Sequence, residues 1–174
     1  PKNITAAFLF SPMFQIEVGF VGQTGASLVA GIMGGVGYEE SYAPGQKPYS
    51  AQSSYEENAV TNSRSRYEMR KQLYNRYTDL RVGGTTVAWL RESLNFTEYL
   101  RKTLSVYSTP VVVFQAGKDT LVGGAAQYRV CERLNARYCR LVKAGFENSK
   151  HEILNETDEI RSLALKKLEQ YLDY

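Results

Sequence analysis

Apolar positions in this chain fall into three short runs and several helical stripes. Ile4–Phe10 and Val111–Phe114 are apolar on successive positions, bounded by Ser11-Pro12 and by Pro110 and Gly117. Tyr138–Val142 is a third short run. Continuous rather than alternating apolar character predicts strands buried on both faces, as in a parallel sheet, and Ile4–Phe10 reads as central rather than as an edge. Period-3.6 stripes predict helices over roughly 61–77, from Thr85 or Thr86 to Leu104, after Gly123-Gly124 through Leu134, and after Thr157 to Leu172. Thr157 precedes Asp158 and Glu159, acidic residues that suit the positive end of that last helix.

Between the first two strands lie about ninety residues, far more than an ordinary connection between parallel strands, so they predict a separate cap or lid. The division is a core strand in 1–17, a cap in 18–107, and a second core unit in 108–174. Val18–Tyr38 carries no charged residue. A membrane span needs about 20 apolar residues, but the glycines here, with Gly34-Gly35 as a breaker, favour a loosely helical segment facing lipid or a pocket. The helix over 61–77 holds Arg64, Arg66, Arg70, Lys71 and Arg76. It reads first as a solvated face, and second as a basic rim able to pair with a phosphate headgroup.

The chain has 174 residues and a net charge of +3. That charge permits attraction to anionic lipid but is too small for a nucleic-acid binder. The 13 tyrosines, most of them before Val111, suit a pocket rim or half-buried packing. Cys131 on a helix and Cys139 on the following strand read as two buried free thiols, the state a reducing compartment favours, with one bridge as the alternative. One histidine and two cysteines make no zinc cluster.

The candidate chemistry is Asp119 and His151. Each follows a predicted parallel strand, so both fall on the carboxyl edge of the sheet, where α/β folds place their sites. An acid after one strand and a histidine after the next is the back half of a Ser…Asp…His order. Met13, Phe14 and Trp89 are the candidates for substrate contact.

Five blocks carry a resemblance: Ser11-Pro-Met-Phe14 after its strand, Tyr42–Tyr49, Arg81–Ser93, Gln115–Asp119 and Lys150–Leu154. Together they resemble the bacterial lysophospholipase and monoacylglycerol lipase group of α/β-hydrolases, nearly end to end. The resemblance implies the C-terminal part of that fold, three parallel strands with flanking helices and a mostly helical cap. It also implies Asp119 as triad acid, His151 as base, a lysophospholipid or monoglyceride ester as substrate, and no metal or organic cofactor.

The family's Gly-x-Ser-x-Gly elbow does not occur in these residues. Ser11 follows a strand, but Pro12 lacks the N–H an oxyanion hole would use. The nucleophile is therefore expected upstream, from a missing N-terminal half or a partner chain. Expected partners are a lipid or small ester, a peripheral membrane contact through the cap, and self-association, with no nucleic acid. Expected location is the cytoplasm or the membrane periphery. A non-catalytic lipid- or partner-binding fragment, and a hydrolase of this fold with a carboxylate nucleophile, stand as alternatives.

Overall fold

The computed structural model describes residues 4–104 and 107–172, without the side chains of 135–137. The expected domain limits at 1 and 174 lie outside the described residues.

Three parallel strands form one sheet in the order β1-β2-β3, where β1 is Ala7–Phe10, β2 is Val111–Phe114 and β3 is Cys139–Val142. Alternate side chains of β2 go to opposite faces. Val111 and Val113 pack with Phe14, Leu104, Ala126, Val130 and Leu134. Val112 and Phe114 pack with Phe146, Ile153 and Ala164. All four β2 side chains are buried, so the apolar run is explained by helices covering both faces.

One cover consists of α3 (Val87–Thr103) and α4 (Gly124–Tyr138), the other of α5 (Asp158–Leu172). Thr86 caps α3, its hydroxyl accepting from the Trp89 N–H. The segment between β1 and β2 also holds α1 (Gly22–Gly35) and α2 (Arg64–Arg76), the latter capped by Ser63. Helix α1 ends at the Gly34-Gly35 pair, and it packs against α3. No described helix is long and apolar enough to cross a membrane.

Two expectations need correction. Strand β1 begins at Ala7, where its ladder opens opposite Val111; Pro110, next in register, has no N–H to donate. Within the described sheet β1 is the outer strand beside β2, the border at which the missing N-terminal half is expected. Its apolar character comes from the two core clusters, which take Ala7 and Leu9 on one face and Phe8 and Phe10 on the other.

The two cysteines are not free: Cys131 and Cys139 form a disulfide, with Cα atoms 5.0 Å apart. Helix α4 runs into β3 with no loop between Tyr138 and Cys139, so the strand folds back beside the last turns of its own helix. That return brings the two Cα atoms into bridging range.

Candidate active site

Strand β2 leaves the sheet at Phe114, and its continuation is tied to the continuation of β3. The Gly117 N–H donates to the Phe146 carbonyl at 2.9 Å, and the Lys118 N–H to the Ser149 carbonyl at 2.9 Å. These bonds hold the acid loop against the histidine loop at the carboxyl edge of the sheet. A second tie comes from the segment after β1, where Gly123 N–H donates to the Gln15 carbonyl and Glu17 N–H to the Leu121 carbonyl.

The sequence-predicted pair meets here. His151 Nδ1 lies 2.7 Å from Asp119 Oδ2. Asp119 Oδ1 accepts from the backbone N–H groups of Leu121 at 2.9 Å and Val122 at 3.2 Å. The carboxylate is thus fixed through both oxygens, and its side chain is only 4% exposed, while the imidazole keeps 27%. With Nδ1–H donating to an ionised Asp119, the neutral ring carries its lone pair on Nε2. Nε2 has no hydrogen-bond partner among the described residues.

The electrostatics follow from this geometry. Burial pushes the Asp119 carboxyl up, but hydrogen bonds from His151, Leu121 and Val122 outweigh it and hold the group below its ordinary range. The hydrogen bond to Asp119 raises His151 above its ordinary value against the opposing effect of burial, helped by the charges of Asp119 and Glu152. Such a pair can take up a proton at Nε2 and stabilise the imidazolium that results.

The candidate substrate contacts differ in exposure. Phe14 is buried in the core beside α4, Met13 is half-buried, and Trp89 lies exposed on α3. None of them lines the cavity of about 280 Å³ beneath α2, whose walls include Tyr49, Tyr67, Arg70, Lys71 and Tyr74.

The cations of α2 are largely engaged within the chain. Arg66 donates to the Glu156 carbonyl and pairs with Asp158, Arg70 reaches both carboxylate oxygens of Glu152, and Lys71 donates to the Ser53 carbonyl. Of these, Arg70 and Lys71 also line the cavity beneath α2.

Two features escaped the sequence. Ser11, at the end of β1, adopts φ 45° and buries a hydroxyl that has no partner among the described residues. A serine before a proline gives no sign of a left-handed backbone. Glu156 is fully buried, though it stands in a polar stretch that reads as solvated loop.

A family model described as serine aminopeptidase, S33, matches residues 1–158. Lysophospholipase L2 of Escherichia coli (strain K12) is 29% identical over 169 residues, covering 95% of this chain and 49% of that protein. A probable lysophospholipase L2 of Haemophilus influenzae is 26% identical over 171 residues, covering 98% and 52%. The chain spans about half the length of the curated relatives it matches. Among solved structures, a soluble variant of monoglyceride lipase from Saccharomyces cerevisiae in complex with a substrate analog superposes with a TM-score of 0.65. That match covers 97% of this chain and 53% of the lipase at 10% identity, a likeness of fold.

Proposed function

The chain belongs to the serine aminopeptidase, S33 family, in the lysophospholipase and monoacylglycerol lipase group of α/β-hydrolases, and from that premise we propose that it carries the acid and base of a serine hydrolase cleaving a lysophospholipid or monoacylglycerol ester. The observation that carries the reading is the 2.7 Å contact between His151 Nδ1 and a buried, doubly anchored Asp119. The serine and the oxyanion-hole donors come from residues outside these 174.

In this mechanism His151 Nε2 takes the proton of the serine hydroxyl as its oxygen bonds to the ester carbonyl carbon. It then gives that proton to the departing glycerol oxygen as the C–O bond breaks, leaving an acyl-serine. Water is deprotonated by the same nitrogen, attacks the acyl carbon, and releases the fatty acid as the proton returns to the serine. Asp119 keeps the tautomer and stabilises the charged ring.

Of the expected cap over 18–107, the stretch before α3 takes that role, because the end of α3 packs on the sheet core. The exposed apolar side chains of Phe20, Leu28 and Ile32 support a lipid-facing role for α1 and its approach. Met13 and Trp89 retain surface able to meet an acyl chain, while Phe14 backs the Met13 loop from the core.

The test is a comparison on the full-length protein of a monoacylglycerol, a lysophospholipid and an aminoacyl anilide, with wild type, His151→Ala and Asp119→Asn. The esters are expected to be turned over and the anilide not. Both variants should lose on the order of 10³-fold or more in kcat/KM. Preference for the anilide would replace the ester reading with a peptidase. Near-normal turnover in both variants would remove Asp119 and His151 from the chemistry.

A further inference from the structure

Glu156 has no solvent exposure. A carboxylate withdrawn from water is tolerated only when its oxygens are saturated with donors. Both are saturated here. Oε1 accepts from Asn62 Nδ2 at 2.9 Å and from the Lys150 N–H at 2.8 Å. Oε2 accepts from the N–H groups of Asn62 and Thr157, each at 3.0 Å. Two donors thus belong to the segment before α2 and two to the loop that carries His151. One of these, Lys150, is the residue immediately before the histidine.

Further bonds run between the same two segments. Thr61 Oγ1 donates to the Asn155 carbonyl at 2.6 Å, the Glu152 N–H to the Val60 carbonyl at 2.8 Å, and Lys150 Nζ to the Asn58 carbonyl at 2.7 Å. Arg70 meets the Glu152 carboxylate at 2.8 and 2.9 Å. Apart from one 3-10 turn at Ile153–Asn155, the chain from β3 to α5 has no regular structure. Asp119 holds a single ring nitrogen, Nδ1, so the backbone that carries His151 must be fixed by something else. The Glu156 carboxylate lies at the centre of the bonds that fix it.

We propose that Glu156 is a positioning residue for His151: its buried carboxylate pins the 148–157 loop to Asn58–Asn62 and thereby sets the imidazole against Asp119. One consequence concerns the cap. Its stretch from Asn58 to Arg70 supports the histidine rather than swinging as a lid, so any closing motion belongs to α1 and the chain around it. Withdrawing Asn62 would loosen the catalytic base. The catalytic meaning of this rests on the reading of His151 as the base; the positioning itself does not.

Glu156→Gln tests it with little change in volume. The amide nitrogen donates where an oxygen accepted, so two N–H donors lose their acceptor. The readout is the imidazole NMR spectrum of the full-length protein labelled with ¹⁵N-histidine, with His151→Ala identifying the His151 signals. In wild type the Nδ1 proton bonded to Asp119 is expected as a protected, far-downfield resonance. In Glu156→Gln its exchange with water should accelerate at least tenfold, by the loss of a held geometry. Ester kcat should fall on the order of 10²-fold with KM within about twofold, the pattern of a misplaced base. Asn62→Ala removes the same anchor from the other side and should move both readouts in the same direction; it decides the matter if Glu156→Gln does not fold.

Leu134→Ala loosens the core on the opposite face of the sheet and should lower Tm while leaving the His151 resonance protected. An unchanged resonance in Glu156→Gln would overturn the proposal. So would equal loss of protection in Leu134→Ala, because Glu156 would then serve only general stability. A wild-type protein without esterase activity would defeat the proposed function, yet the spectra would still decide on Glu156.

Discussion

Gly117 passes so close to Glu147 that an added Cβ would stand 2.6 Å from its Cα and 2.7 Å from its carbonyl carbon. The obstacle is backbone, which cannot rotate aside. Gly117 is therefore required for space, since its φ lies outside the left-handed region. This contact is where the acid loop and the histidine loop touch, and the bonds from Gly117 and Lys118 to Phe146 and Ser149 depend on it.

Gly117→Ala should therefore separate the two loops. Overpacking of this kind costs about 1–3 kcal/mol, and the shift between Asp119 and His151 should lower kcat on the order of 10²-fold. Thermal unfolding and steady-state kinetics on the full-length protein measure both. An alanine variant with wild-type Tm and turnover would mean that the loops are free to move apart without consequence.

The acid and base should also show in pH profiles. With the neutral imidazole as the proposed base and its pKa lifted by Asp119 above the ordinary 6.5, kcat/KM should rise with pH through a midpoint above that value. Asp119→Asn removes the largest cause of the upward shift and leaves burial to oppose ionisation. The midpoint of the residual activity should then move to lower pH. A midpoint that stays in place would show that Asp119 does not set the titration of His151.

The same two shifts give stability a defined pH window. A raised His151 contributes stability in full below 6.5, and that contribution fades as pH rises through the folded-state value. A lowered Asp119 contributes above its ordinary 3.8, and that contribution is lost as pH falls through its folded-state value. The difference in unfolding free energy between wild type and His151→Ala should thus be largest near pH 5 and shrink in both directions. A difference that is flat across this range would separate the pair from the stability of the fold.

The parts legible in the sequence were those with local signals. Val111–Phe114 is apolar at every position and bounded by Pro110 and Gly117, which is enough to place a buried strand and the turn holding Asp119. Thr85 or Thr86 marked the start of α3 because a hydroxyl before a helical stripe has one common use, and the structure shows that use at Thr86. The parts that were not legible depend on non-local contacts. Glu156 looks like any loop glutamate until Asn62, far away in the chain, donates to it twice. The disulfide depends on a helix passing into a strand without a loop, a junction that no turn residue marks.

Helix α1 offers a test of the lipid-facing cap. Ala26 and Ala30 are its buried positions, while Leu28 and Ile32 are 64% and 60% exposed and Phe20 just before it is fully exposed. The segment has no charge to hold it away from an apolar phase. Burying one such side chain is worth about 1.5 kcal/mol or more, so Leu28→Asp with Ile32→Asp should weaken binding to phosphatidylcholine vesicles by at least about tenfold. Both sites are exposed, so Tm and turnover of a short soluble ester should be unchanged. Equal vesicle binding by the double variant would exclude α1 as the contact.

The last expectation concerns the 174-residue chain by itself. The Ala7 and Ser11 N–H groups donate to the carbonyls of Pro110 and Phe114, so the odd positions of β1 bond toward β2. By the alternation of a strand, the backbone groups of Phe8 and Phe10 face the other way. No described strand lies on that side. Natural edges are blunted by charge, proline or a bulge. Ala7–Phe10 has none of these, and Ile4 adds an exposed apolar side chain beside it. An unpaired row of donors and acceptors flanked by apolar surface is a template for a second strand. The isolated chain should therefore self-associate through β1, with a sedimentation coefficient that rises with concentration. Thr5→Lys places a charge at an exposed position beside the strand and should shift the distribution toward monomer. A concentration-independent monomer that unfolds in one cooperative step would show that the open edge of β1 is tolerated in water.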